Sequence, residues 1–161
     1  MNLGESFLAI GAMVLLSVLV LSVNNTIFNT GNSLNESKFD ILATSIGTSI
    51  IEEASNKAFD ENTVDTSVTS KTELSKVLGA EGETHSSFDD FDDYNGYTGT
   101  DSTMPSAVFD YRCRVDYVVS GKPDVVSGSR TWDKKLTVFV TSKSMTDTVV
   151  LSTVYSYWYF R

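Results

Sequence analysis

Residues 6–23 read SFLAIGAMVLLSVLVLSV, an apolar run of 18 residues that contains no charged side chain. An α-helix rises about 1.5 Å per residue, so the run predicts a helix of roughly 27 Å, close to the thickness of the hydrocarbon core of a membrane. Glu5 stands directly before the run, with no Lys or Arg beside it. A secretory signal peptide carries a positively charged segment before its apolar run and a small-residue cleavage site after it, and this sequence shows neither. We therefore interpret the run as a membrane-spanning helix.

The first five residues, Met1-Asn2-Leu3-Gly4-Glu5, together with the apolar run, resemble the mature N-terminus of type IV pilins and of the related pseudopilins of type II secretion. The resemblance implies that a prepilin peptidase removes a leader and that Met1 is the processed, N-methylated first residue. Gly4 departs from the family pattern, in which a branched apolar residue is usual, and so does the lack of Pro in the apolar run.

Glu5 is the residue for which the resemblance implies the most specific role. A carboxylate among apolar side chains is strongly disfavoured without a cation, and the first basic side chain of the sequence is Lys38. The resemblance implies that Glu5 pairs with the α-amino group of Met1 in a neighbouring subunit and so sets the register of assembly. The alternative is that Glu5 only places a negative charge at the positive end of the helix dipole.

The resemblance further implies a filament with packed N-terminal helices in its core, and we expect the helix to lose regularity in the filament between Ser17 and Gly31. The residues predicted to act in assembly are Met1, Glu5, Phe7, Ile10, Val14 and Val18.

Composition excludes several other classes of protein. The net charge is −9 and the isoelectric point is about 4.4, so nucleic acid is not an expected partner, because phosphate contacts need Lys and Arg. One Cys allows no internal disulfide, and one Cys with one His allows no zinc site of Cys and His within one chain. The sequence contains no phosphate-binding loop, no dinucleotide fingerprint and no HExxH motif, so we predict a protein that is not an enzyme and has no cofactor.

The pattern of the chain predicts an α+β fold in two parts. Residues 1–24 form the apolar membrane or filament-core helix, and residues 25–161 form a pilin-like globular domain. That domain comprises an amphipathic helix at 25–59, a connecting region at 60–105 and an antiparallel sheet of 3–4 strands at 106–161. Ser70 and Glu73 have the spacing of a capping box, which predicts a short helix from Lys71 to Leu78.

The strands are predicted from alternation of apolar and polar residues, which is strict from Phe109 to Tyr117. Further strands are predicted at about 134–142 and 148–160, and a loop is predicted at 120–124. Cys113 shares the apolar face of the first strand, so we predict a buried and inert thiol. We predict that Trp158 is buried against the long helix near Ile46 or Ile50.

The string SFDDFDDYNGY at residues 87–97 places four carboxylates within five positions. The interpretation we favour is a solvated turn over three buried aromatic residues, with His85 in the surface loop before it. Calcium is the alternative, because it prefers such oxygen ligands, but the spacing does not fit an EF-hand loop. The calcium candidates are Asp89, Asp90, Asp92 and Asp93.

Three functions remain open. The first is the structural subunit of a type IV pilus-like homopolymeric filament, anchored in the inner membrane before assembly and then displayed on the cell surface. Its expected partners are copies of itself, the prepilin peptidase and the pilus assembly machinery. The second is a minor pilin or a type II secretion pseudopilin, and the third is a monomeric single-pass membrane protein that displays a binding domain.

Overall fold

The computed structural model describes residues 2–158, apart from the side chain of Asn32. Its longest element is one helix, α1, from Leu3 to Ser55. The chain divides into two compact units, Met1–Lys38 and Phe39–Arg161. The loss of helix expected between Ser17 and Gly31 concerns the filament, and the single chain is helical throughout that range.

Hydroxyl groups are accommodated within the first unit by bonds to the helix backbone. The Ser17 Oγ donates to the carbonyl of Met13 at 2.8 Å, and the Thr26 Oγ1 donates to the carbonyl of Ser22 at 2.9 Å. These bonds to the preceding turn satisfy polar groups that lipid or an apolar neighbour could not. Ser17, within the apolar run, is therefore compatible with a hydrocarbon environment.

The second unit combines the C-terminal part of α1 with an antiparallel sheet, which confirms the predicted α+β class. Ala43, Ile46, Ile50 and Ala54 recur at three- and four-residue spacing and are buried. They belong to one core with buried residues of the sheet. The helix ends at Ser55, four residues before the predicted end at residue 59.

Residues 2–158 contain five strands, whereas three to four were predicted. They are β1 at Thr98–Asp101, β2 at Phe109–Val119, β3 at Lys122–Val126, β4 at Asp133–Ser142 and β5 at Val149–Ser156. Their order is β1-β2-β4-β5, every pair is antiparallel, and β3 pairs only with β2.

The strands that sequence reasoning missed, β1 and β3, have no apolar alternation. The sequence of β1 is TGTD, and all five residues of β3 are exposed. The predicted loop at 120–124 is therefore wrong in its second half, because the chain turns at Gly121, whose φ is +77°, and returns along β2. A positive φ is readily adopted by glycine, which explains why the turn is so tight.

The connecting region from residue 56 to 97 contains four single-turn 3₁₀ helices, at Glu61–Thr63, Lys71–Glu73, His85–Ser87 and Asp92–Tyr94. The capping box of Ser70 and Glu73 is confirmed. The helix that it begins stops at Glu73, so the predicted extension to Leu78 is wrong.

The predicted burial of Trp158 is also wrong. Its side chain is 49% exposed and packs on Trp132 and Tyr157, with ring centroids 5.3 and 5.1 Å away. In β5 the odd-numbered residues are the more buried ones, so the alternation of the strand places even-numbered positions such as 158 on the outward face. The strand ends at Ser156, and residues 159 and 160 of the predicted strand lie outside the described part of the chain.

Candidate functional site

The apolar segment, residues 3–23, is exposed in the single chain. Each large apolar side chain in it is exposed by at least 51%, the value at Val23, and by up to 77%, the value at Leu3. The predicted assembly residues are among them, with exposures of 68, 59, 57 and 59% for Phe7, Ile10, Val14 and Val18. By length and composition the helix that carries them is long and apolar enough to cross a membrane.

Glu5 caps the start of this helix in the single chain. The backbone N–H of Asn2 donates to its Oε2 at 3.1 Å, while the backbone N–H of Glu5 donates to the carbonyl of Asn2 at 2.9 Å. This arrangement satisfies donors that a helix start leaves unpaired. The predicted pairing of Glu5 with Met1 lies outside the described residues.

The acidic string of the second unit is folded inward, contrary to the predicted solvated turn. Asp90, Asp92 and Asp93 are exposed by 0, 0 and 1%, and only Asp89 of the four faces solvent. The side chain of Asp93 accepts from the backbone N–H groups of Asp89 and Asp90, and that of Asp90 accepts from those of Asp92 and Asp93. Backbone donors thus satisfy buried carboxyl oxygens that water does not reach.

The aromatic residues of the string behave as predicted. Phe88, Phe91 and Tyr94 are exposed by 5, 0 and 0% and belong to the main core. His85 is half-exposed, as predicted; its Nε2 lies 3.2 Å from the Glu53 Oε1 and its ring stacks on Tyr97. Cys113 is confirmed as buried, and burial raises the pKa of its thiol to about 12.

A buried lysine, Lys134, lies at the centre of the acidic residues. Its side chain is fully buried, and its Nζ donates to the carbonyl of Phe59 and to the Asp60 Oδ2, both at 2.8 Å. The same Nζ contacts the Asp92 Oδ1. The rings of Phe59 and Tyr117 lie over it, with centroids 4.7 and 5.3 Å away. We call Lys134, Asp60, Asp90 and Asp92 the buried lysine cluster.

Sequence reasoning missed Lys134, although a signal for it was present. Leu136, Val138 and Val140 are buried on one face of β4, and a period of two carries that face back to Lys134. A lysine on the inward face needs carboxylates around it, because an unpaired buried charge is very costly. Asp60, in the connecting region, was missed as well.

Asp60 is held as a carboxylate. Its oxygens accept from the N–H and hydroxyl of Ser75, from the N–H of Asn62 and from the hydroxyl of Tyr117, at 2.9 to 3.2 Å. Burial raises the pKa of Asp60, but the charge of Lys134 and the hydrogen bonds from Lys134 and Ser75 outweigh it and hold the pKa below its ordinary value.

The pKa values of Asp90 and Asp92 are raised, whereas that of Asp60 is lowered. Burial, reinforced by the charge of Asp92, raises the pKa of Asp90 to about 9, and burial raises the pKa of Asp92 to about 6 against the opposing charge of Lys134. The Oδ2 atoms of both residues are buried without a partner if both carboxyls are ionised. The Asp90 Oδ1 accepts from the backbone N–H of Asp92 at 2.6 Å. The raised pKa of Asp90 favours its protonated form at neutral pH.

The calcium candidates do not converge on one point. Asp92 contacts Lys134, and Asp90 bonds to Asp92. Asp89 and Asp93 instead approach Glu83, and within the described chain one carboxylate oxygen of each of the three lies within 4.8 Å of the others. Three such oxygens would supply at most half of the six to eight that calcium takes. Among these residues Asp93 alone is buried, and its Oδ1 has no hydrogen-bond partner there.

Comparison of the chain with protein-family models, with curated proteins and with solved structures finds no match.

Proposed function

We propose that this chain is the structural subunit of a type IV pilus-like surface filament, a homopolymer whose subunits are held in the inner membrane before they assemble. The observation that carries the proposal is the exposure of every large apolar side chain in the apolar segment. A helix that is apolar on all faces must be covered, either by lipid or by protein. In the proposed cycle lipid covers it first, and other copies of the same helix cover it in the filament. Processing by a prepilin peptidase and export by pilus assembly machinery belong to the same proposal.

Apolar burial by itself does not move such a helix out of the membrane. Lipid tails cover an apolar side chain as well as another helix does, so association within or from a membrane depends on packing and on polar pairing. Glu5 is the only charged side chain among residues 2–35. A carboxylate at the edge of an apolar segment is costly without a cation, which makes it the residue suited to select the position of an incoming subunit.

Two alternatives use the same apolar segment. A minor pilin or a pseudopilin would enter a short or capped assembly, and a single-pass membrane protein would remain a monomer. The monomer offers no purpose for Glu5 beyond the helix cap, which is why we favour the filament. Electron microscopy of material sheared from the cell surface, with mass spectrometry of the filaments, separates the three. Long filaments made mainly of this chain support the proposal, and its confinement to the membrane fraction overturns it.

Val14→Asp tests the role of the apolar segment. One Asp at the centre of a membrane helix costs about 3 kcal/mol on insertion scales, which the remaining apolar residues of the segment offset, so we expect membrane insertion to continue. In a filament the same carboxylate has no cation, so we expect filaments to disappear. The matched control is Val126→Asp, because Val126 on β3 is 53% exposed where Val14 is 57% exposed. Filaments that persist with Val14→Asp would show that the segment is not the filament core.

Glu5→Gln tests the charge that the proposal uses. Glutamine has the same shape and retains the oxygen that accepts from Asn2, so the helix cap is kept and only the charge is lost. We expect normal amounts of subunit in the membrane and few or no filaments. Glu52→Gln, a matched change on an exposed position of the same helix, should leave filaments unchanged. Normal filament number and length with Glu5→Gln would reduce Glu5 to a helix cap.

A further inference from the structure

We infer that the Nζ of Lys134 and the Cγ of Asp92 join in an amide bond that the folded chain forms within itself, without an enzyme and with loss of one water molecule. Such a cross-link would be a modification site inside the second unit, independent of how filaments assemble.

The amine of Lys134 and the carboxyl of Asp92 lie in contact. The Nζ of Lys134 contacts the Asp92 Oδ1 and is held from other sides by the carbonyl of Phe59 and by Asp60. All three side chains of Lys134, Asp60 and Asp92 are fully buried, so the amine has no other position to adopt. Holding two reacting groups in contact replaces a bimolecular encounter by a unimolecular step. This lowers the activation barrier of a condensation by a large amount.

Water is excluded from the site. In water an ammonium and a carboxylate do not condense, because water hydrates the two ions much more strongly than it hydrates the neutral amide. In the buried lysine cluster both ions have lost that hydration, which is costly for each of them. Rings of Phe59 and Tyr117 cover the amine. A neutral amide removes two buried charges at once, so the environment favours the product.

Asp92, rather than Asp60, is the carboxyl that reacts. Asp60 accepts hydrogen bonds from Ser75, Asn62 and Tyr117, which stabilise the unreactive carboxylate. The Oδ2 of Asp92 is buried and has no hydrogen-bond partner, and the neighbouring carboxyl of Asp90 accepts from the backbone N–H of Asp92 at 2.6 Å. An acid in that position can protonate the oxygen that must leave. Asp60 is therefore the base and Asp90 the acid.

The proton balance of the step closes within the cluster. Asp60 takes one proton from the ammonium, and the free amine forms a bond from Nζ to the Cγ of Asp92. Asp90 donates its proton to the leaving oxygen of Asp92 and then takes the second proton of the nitrogen, while Asp60 passes the first proton on to the same oxygen. The C–O bond breaks, the oxygen departs as water, and Asp60 and Asp90 return to the protonation states in which they began. No oxidant, reductant or cofactor takes part.

The position of the bond suggests its use. It would join β4 to the 3₁₀ helix at Asp92–Tyr94, across 42 positions of sequence. The single Cys of the chain cannot provide an internal disulfide. A covalent link across such a loop limits the freedom of the unfolded chain in the same way as a disulfide, and a reducing agent does not break it.

Peptide mapping of the full-length chain, purified in detergent and then unfolded, tests the inference directly. Asp92 lies in the tryptic peptide between Lys76 and Arg112, and Asp60 lies in the separate peptide between Lys57 and Lys71. We expect a branched peptide that joins the Asp92 peptide to the one containing Lys134, uncleaved after Lys134 and lighter by one water than its two parts. Two unmodified peptides from wild-type protein, or a branch to the Asp60 peptide, would overturn the assignment.

Two lysine variants exclude other sources of water loss. Lys134→Arg keeps the positive charge but removes the amine that condenses, so the branched peptide should be absent. Lys135→Arg is the matched control, because Lys135 is the next residue of β4 and pairs with Asp124 on the outer face. It should give the branched peptide in full. A branch that survives in Lys134→Arg, or one that disappears in Lys135→Arg alone, would refute the proposed bond.

Discussion

Asp90→Asn should abolish a dependence of stability on pH that the buried lysine cluster creates. Burial raises the pKa of Asp90 from an ordinary value of 3.8 to about 9. Between these two values the folded chain keeps a proton that the unfolded chain releases. Raising the pH therefore favours unfolding, and the stability that Asp90 contributes is fully present below about pH 4 and is lost as the pH rises toward 9.

The size of the effect follows from one proton. Each pH unit in the window changes the free energy of unfolding by about 1.4 kcal/mol, so wild-type protein should lose about 3 kcal/mol between pH 6 and pH 8. The comparison begins at pH 6 because the ordinary carboxyls of the unfolded chain are already ionised there. Asparagine has no titrating proton, so the variant should show little change across the same interval.

Urea titration of the full chain in detergent, followed by tryptophan fluorescence, measures this free energy. Both tryptophans, Trp132 and Trp158, belong to the second unit and report on its unfolding. Asp147→Asn, the same change at an exposed turn, should keep the slope of the wild type. Equal slopes for wild type and Asp90→Asn from pH 6 to pH 8 would refute the argument, because Asp90 would then be ionised in the folded chain.

Two further predictions concern packing. Trp158→Ala should lower the free energy of unfolding by less than about 1 kcal/mol, because the side chain is half-exposed. Leu136→Ala, at a position exposed by 0%, should lower it by about 2–5 kcal/mol. Equal losses in urea titration would contradict the assigned exposures. Burial raises the pKa of the Cys113 thiol to about 12, so Cys113 should resist iodoacetamide at pH 8 in the folded chain and react when the chain is unfolded in urea. Alkylation of the folded chain at the rate of a free thiol would mean that the inner face of β2 opens.

The elements that could be predicted from sequence are those with a local periodic signal. The apolar run predicted the start of α1, and strict alternation predicted β2, because residues on the core face of a strand recur every second position. The capping box at Ser70 was also readable, since its two hydrogen bonds join residues three apart. The strands β1 and β3 were not, because they are polar and are held by pairing with β2 rather than by a buried face.

The sequence by itself determined that residues 3–23 need an apolar environment and that Glu5 is the one charge at their edge, since both follow from side-chain chemistry over a few consecutive positions. Only the tertiary structure decided the fate of the aspartates. Asp89 and its three neighbours looked equivalent in sequence, yet three are buried, one of these contacts Lys134, and Asp60 reaches the same lysine from 74 positions away. The charge and protonation of a carboxyl depend on burial and on partners distant along the chain, and folding alone brings these together.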